Sequence, residues 1–312
     1  MLEFKKDNLR ALVALAPTLL LMAVFTFWPI INSFIMAFLE EYSFSGMPPQ
    51  IHKYAWIAGG TFKGVGIGNF VQVFKEPDFW KALGNTTIMV LISVPVSVII
   101  GLLIAVALNN VKKFQGFFQT VFFLPYVTNT IALGMVFGSV FHQDYGLVNK
   151  LFNSVGVAWI NSGATWTRAM VVLMTYTIWN GLAFKILVFL SGLQSIDKQY
   201  YQAAQVDGTP RWRTFRKITV PLLSPMILYI TITSFIGAFK AYSSVVAIFG
   251  TGRYGPVGND KMLITIVGFI YDRLWESSLP FGIASAGSMI LFIIIMLITL
   301  VQFQISKKRV HY

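Results

Sequence analysis

Six long apolar runs constrain this chain more than anything else in it: Ala11–Leu39, Thr87–Leu108, Phe117–Phe141, Ala169–Ser191, Pro225–Phe249 and Phe281–Ile305. Each is long enough to carry a helix of about 20 residues across about 30 Å of hydrocarbon. None alternates with a period of two, and each exceeds the about 9–11 residues of a barrel strand. In lipid every backbone N–H and C=O must be paired within its own segment, so the runs are expected to be helices. Composition agrees. Of 312 residues, 56% are hydrophobic and only 12% charged, against about 25% charged in an ordinary soluble domain. The expected class is all-α integral membrane.

The first run follows Lys5, Lys6 and Arg10, as the core of a secretory leader would. It is much longer than a leader's core of about 7–15 residues and ends at no A-x-A site, so it reads as an anchor. With the amino terminus inside, 13 of the 24 Lys+Arg lie in inner segments, nine lie in outer ones, and Lys185 and Lys240 fall within runs. Four of the 12 acids lie inside and eight outside. This is the positive-inside pattern, and it puts both termini in the cytoplasm. The net charge of +12 is thereby explained by basic cytoplasmic loops, with no nucleic-acid partner expected. Residues 1–83 are read as a tail, the first span and a long outer loop containing Pro48, Pro49 and the Gly64–Gly68 run; residues 84–312 are read as a five-helix core.

The chain has no cysteine, and His52, His142 and His311 are not spaced against one another or a carboxylate as metal ligands would be, so no metal is expected. No Asp or Glu lies inside any apolar run. That argues against a self-contained, proton-coupled secondary transporter, and no acid, base or nucleophile constellation points to an enzyme. No G-x-x-x-x-G-K-[ST] occurs, so nucleotide chemistry would come from another chain. Gly250-Thr-Gly252-Arg-Tyr-Gly255 does satisfy G-x-G-x-x-G, but it follows an apolar span without a βαβ unit and is rejected as a dinucleotide site.

The most informative segment is the basic inner loop Gly192–Ser224. Asp197 suits a helix N-cap, with that helix running through Ala204. Gly208 suits the left-handed position that ends it. Pro210 pre-sets the first turn of a second short helix through Trp212, Phe215 and Ile218, and Pro221 is expected to stop it. From physics alone the loop is either an amphipathic segment resting on anionic headgroups or a docking element for a cytoplasmic partner.

The text Gln202-Ala203-Ala204, three residues, Gly208, nine residues, Ile218-Thr-Val-Pro221 resembles the EAA loop of binding-protein-dependent ABC importer permeases of the maltose type. Further matching stretches are Phe27-Trp28-Pro29, Gly68-Asn69-Phe70, Pro77-Asp-Phe-Trp80, Ala82-Leu-Gly-Asn85-Thr86, Phe122-Phe-Leu-Pro125-Tyr126, Asp144-Tyr-Gly-Leu147 and Trp179-Asn-Gly181. The resemblance covers nearly the whole chain. It implies a six-transmembrane-helix ABC importer permease bundle with a cytoplasmic coupling helix, in the bacterial cytoplasmic membrane. It also implies a sugar or oligosaccharide substrate, a second permease subunit, two ATPase subunits that bind ATP and Mg, and an extracytoplasmic solute-binding protein. A related importer of an acidic glycan or other solute is the alternative. Carried over by position, Gln202, Ala203, Ala204, Asp207, Gly208, Ile218 and Pro221 are the ATPase-coupling residues. Gln202 stands where the family usually has Glu, which turns a charged contact into a neutral one roughly half as strong.

The resemblance places sugar contacts on the fourth and fifth spans, at Gly181, Phe184 and Ser234. At 1.5 Å per residue Gly181 and Ser234 share a depth of about 15 Å from the inner face, and Asn180 adds an amide there. Close helix packing is the other reading of Gly181 and Ser234, and the expected role of Gly134-x-x-x-Gly138. Lys185, about 9 Å from the inner end, is expected to snorkel to the interface. Lys240, about 22 Å from it, is expected to face the pathway and favour an anionic or polar glycan.

Overall fold

The computed structural model describes residues 2–40, 42, 62–111, 115–154, 156–250, 253–275 and 281–306. Pro48, Pro49, His52, Lys112, Lys113, Gly252, His311 and the Lys307–Arg309 run lie outside these residues. Contacts divide the chain into two units, Met1–Pro77 with Phe269–Phe292, and Asp78–Gly268 with Ile293–Tyr312.

In the first unit, α1 (Leu2–Met22) passes through a π-turn at Ala23–Phe27 into α2 (Trp28–Phe38). The wide turn ends two residues before Pro29. A proline gives no N–H to the carbonyl four residues back and crowds it, which loosens that turn. Side chains from Arg10 to Ile31 are all exposed, so this apolar helix needs lipid or another chain to cover it. Strand β1 (Leu39–Glu40) pairs antiparallel with β2 (Gly64–Val65), in the register Leu39 to Val65 and Glu40 to Gly64. Helix α3 (Gly68–Lys75) then docks back on the first span. Buried Asn69 donates to Ala37 O at 3.0 Å and Leu39 O at 2.8 Å, and Gly68 N donates to Glu40 Oε1 at 2.9 Å. The Gly68-Asn69 motif thus fastens the C-terminal end of the first span.

The second unit holds α4 (Pro77–Asn110), α5 (Gln115–Val127), α6 (Thr130–Val140), α7 (Leu147–Leu151), α8 (Trp166–Ser195), α9 (Lys198–Val206), α10 (Arg211–Thr214), α11 (Val220–Leu222), α12 (Ser224–Phe239) and α13 (Ser243–Phe249). The chain continues through α14 (Ile266–Trp275) and α15 (Phe281–Ser306). Among the described residues, Arg10–Phe38, Pro77–Asn110, Trp166–Ser195 and Phe281–Ser306 are long and apolar enough to cross a membrane.

Two expected spans are corrected. The third is bent by 100° between α5 and α6. Asn129 starts a new helix there, its Oδ1 accepting from Ile131 N at 2.8 Å and Ala132 N at 3.4 Å. The fifth ends at Phe239, not Phe249. Lys240 N and Ala241 N bond three residues back, at 3.1 Å each, and Thr265 Oγ1 donates to the Ala241 carbonyl at 2.8 Å. That carbonyl is satisfied from outside the helix, so the chain can turn before resuming as α13. Pro221 does not stop its helix either: the π-turn Phe215–Thr219 absorbs it, and the 67° bend falls after Leu222. Helix α14 lies in what reads as an outer loop, and Ile266 and Phe269 in it are fully buried.

Candidate functional site

Helices α4, α8 and α12, with the two broken ends, enclose an open cavity of about 480 Å³. Backbone irregularity at membrane depth is tolerated where it lines such a cavity. Tyr126 and Thr130 flank the first break, and Ala241 and Ser244 the second. Four residues expected on the pathway line this cavity: Asn180, Gly181, Phe184 and Ser234. Lys240 does not. It sits exposed at the C-cap of α12 and is not among the lining residues, because the early helix end removes it from the register assumed for an unbroken span.

Lys185 also departs from expectation. It is buried, lines the cavity, and donates from Nζ to Gly181 O at 3.0 Å. Helical side chains lean toward the helix N-terminus, so Lys185 reaches back one turn, away from the Ser195 end that snorkelling would require. Gly101 on α4 makes room for it: a Cβ there would stand 3.0 Å from Lys185 Cβ.

Sequence reasoning left out Tyr126 as a site residue, although the Pro125-Tyr126 step was visible. Its ring stacks on Phe184, with centroids 5.9 Å apart and planes 18° apart. It also left out Ser93, Ser97 and Thr233, which line the same space. Buried Ser93 Oγ has no hydrogen-bond partner among the described residues.

A second cleft, of about 400 Å³, opens in the inner loop between α9 and the segment that follows Pro210, lined by Ala203, Ala204, Asp207 and Ile218 among others. Asp197 Oδ1 caps α9, accepting from Gln199 N at 2.9 Å. At the other end Gly208 has φ of +63°, Thr209 N donates to Ala204 O at 2.9 Å and Gly208 N to Gln205 O at 3.1 Å. This is a Schellman termination, which needs the left-handed residue that glycine supplies. Ala204 is buried, whereas Gln202, Ala203, Asp207 and Gly208 are exposed; Ile218 and Pro221 are half-buried. Val206 and Trp212 expose apolar surface beside Arg211, Arg213, Arg216 and Lys217. The two arms of the loop are tied to each other by the hydroxyls of Tyr201 on α9 and Thr219 in the π-turn, 3.3 Å apart.

A bundle of long apolar helices around a cavity, with a capped and exposed connecting loop, has the parts that a transport permease needs. Residues 97–311 match the family described as the binding-protein-dependent transport system inner membrane component. The chain belongs to that family and is a multi-pass membrane protein. It is 31% identical over 300 residues to the lactose transport system permease protein LacF of Rhizobium radiobacter, covering 94% of this chain and 93% of that one. It is 31% identical over 303 residues to the arabinooligosaccharides transport system permease protein AraP of Bacillus subtilis strain 168, covering 93% and 86%. Its fold is that of a bacterial ABC transporter involved in the import of the acidic polysaccharide alginate, with a TM-score of 0.76 at 21% identity over 98% of this chain and 97% of that one.

Proposed function

We propose that this chain is one permease subunit of an ATP-driven sugar or oligosaccharide importer. A second permease would complete the pathway, two ATPase subunits would hold ATP and Mg and bind the Gly192–Ser224 loop, and an extracytoplasmic binding protein would deliver the solute. Both termini would be cytoplasmic. The observation that carries this reading is the cavity in which Asn180, Gly181, Phe184 and Ser234 converge, in a chain whose relatives are named for lactose and arabinooligosaccharides.

The division of labour follows from the chemistry. Carbohydrate needs hydrogen-bonding side chains beside an aromatic surface, and the cavity offers Asn180, several hydroxyls and the Tyr126–Phe184 stack. ATP closes the ATPase dimer; the loop around Gly208, its turn fixed by the α9 termination and its two arms joined through Tyr201 and Thr219, transmits the movement. ATP can drive this change only by its unequal affinity for the two states. Gln202, exposed on α9, contributes a neutral hydrogen-bonding head to that contact.

The test is reconstitution. In liposomes the chain alone should move no sugar, and the chain with its second permease, ATPases and binding protein should do so with ATP. Robust uptake by the chain alone would overturn the reading.

A further inference from the structure

Lys185 is a buried cation without a counter-charge among the described residues. It is 7% exposed, and its hydrogen-bond acceptor among the described residues is the Gly181 carbonyl, a neutral group. None of the residues lining the cavity is Asp or Glu, and none of the ion pairs among the described residues includes Lys185. A buried charge is retained at a cost unless it is paired. The chain nevertheless builds a place for it, with Gly101 admitting the stem and Gly181 leaving its α-carbon bare where the ammonium lies, since a Cβ there would come within 2.8 Å of Nζ. The side chain leans into the cavity rather than toward the Ser195 end.

We infer that Lys185 is a specificity residue for a saccharide bearing an anionic group, a carboxylate, sulfonate or phosphate, whose oxygens take the ammonium when the sugar occupies the cavity. This rests on the sugar-permease reading and narrows its substrate class. The charge-selecting role expected of Lys240 thereby moves to Lys185. A neutral sugar accepts a hydrogen bond from the ammonium but leaves its charge unpaired, whereas an anion both accepts the bond and neutralises the charge.

The experiment uses the importer assembled with its second permease, ATPases and binding protein in liposomes. ATP-dependent uptake is measured for three labelled disaccharides, bearing a carboxylate, a sulfonate and a phosphate, each in competition with its neutral parent. Wild type should prefer at least one anionic sugar. Lys185→Met should lower that preference by about tenfold or more, and Lys185→Arg should keep it within about threefold. Where Lys185→Met fails to assemble, the ratio is read on Lys185→Gln, which keeps a polar head without the charge. Lys240→Met should leave the ratio as it is. The inference is overturned if wild type takes neutral parents as well as or better than the anions, or if Lys185→Met leaves the ratio unchanged. It is equally overturned if Lys185→Met lowers both uptakes alike, which would mark a lysine paired to a carboxylate of the second permease, or if Lys240→Met lowers the ratio as much. Uptake of neither sugar class by wild type would overturn the sugar reading beneath it and the inference with it.

Discussion

Trp166 Nε1 donates to Asn85 Oδ1 at 2.9 Å, joining the first residue of α8 to the N-terminal half of α4. The same Asn85 amide donates to Met262 O at 3.1 Å and Ile264 O at 3.0 Å, and next to it Thr86 Oγ1 accepts from Ile266 N at 3.0 Å. The Asn85-Thr86 pair of the Ala82–Thr86 motif is therefore a buried clamp that joins α4 to two other segments, the start of α8 and residues 262–266. Asn85→Ala leaves two carbonyls and an indole N–H without their partner, and unsatisfied buried groups cost about 1–3 kcal/mol each before relaxation. We expect a net loss of about 2–3 kcal/mol, read as a lower thermal midpoint of the purified complex. A midpoint within error of wild type would show that the clamp is not needed.

Gly134 meets Ala247 where α6 crosses α13. A Cβ on Gly134 would overlap Ala247 Cβ and lie 3.0 Å from its carbonyl carbon, and backbone gives way poorly. Gly134→Ala should cost about 1–3 kcal/mol by overpacking. Ala247→Gly in the same chain should restore part of it, and a double-mutant cycle measures the coupling. Additive effects would mean that the two helices do not meet as described.

At Gly208 the penalty is conformational alone, because a Cβ there would have no other atom within 4 Å, while φ is +63°. An L-residue there costs roughly 1–2 kcal/mol, equivalent to a factor of about 5–30. Gly208→Val should weaken association with the ATPase subunits by about that factor, and Gly208→Asn by less, since Asn visits this region more readily. Titration of ATPase onto the permease pair checks the order. Equal effects of Val and Asn would place the defect elsewhere.

Much of this molecule is legible in the chain because its physics is local. Hydropathy marks the long helices to within a few residues, except that α1 begins at Leu2 rather than Ala11 and α4 at Pro77 rather than near Thr87, since the first turns of both are too polar to read as lipid-embedded. The Asp197 cap and the Gly208 turn depend on neighbours in sequence and are readable there. The helix breaks are less so. Hydropathy runs unbroken through Thr128-Asn129 and most of Lys240-Ala-Tyr242, while the breaks are fixed by the Asn129 cap and by Thr265 reaching Ala241 from a distant segment. Lys240 and Lys185 exchange expected places for that reason: depth counted along an ideal helix fails once the helix ends early or a side chain doubles back.

The aromatic stack at the first break offers the most direct reading of sugar binding. Tyr126 and Phe184 come from α5 and α8; Tyr126, which also meets Phe123 with centroids 5.5 Å apart, is 53% exposed and so keeps ring surface for the apolar face of a sugar. An aromatic contact of this kind adds about 0.5–1.5 kcal/mol beyond burial, or about 2–13-fold in affinity. If the ring serves substrate and transition state alike, that loss falls on KM and leaves kcat nearly intact. Tyr126→Ala should therefore raise KM for transport by about 2–13-fold. Tyr126→Phe, which keeps the ring and removes a hydroxyl outside the stack, should stay within about twofold of wild type. A Phe variant as impaired as the Ala variant would show that the hydroxyl, not the ring face, meets the sugar.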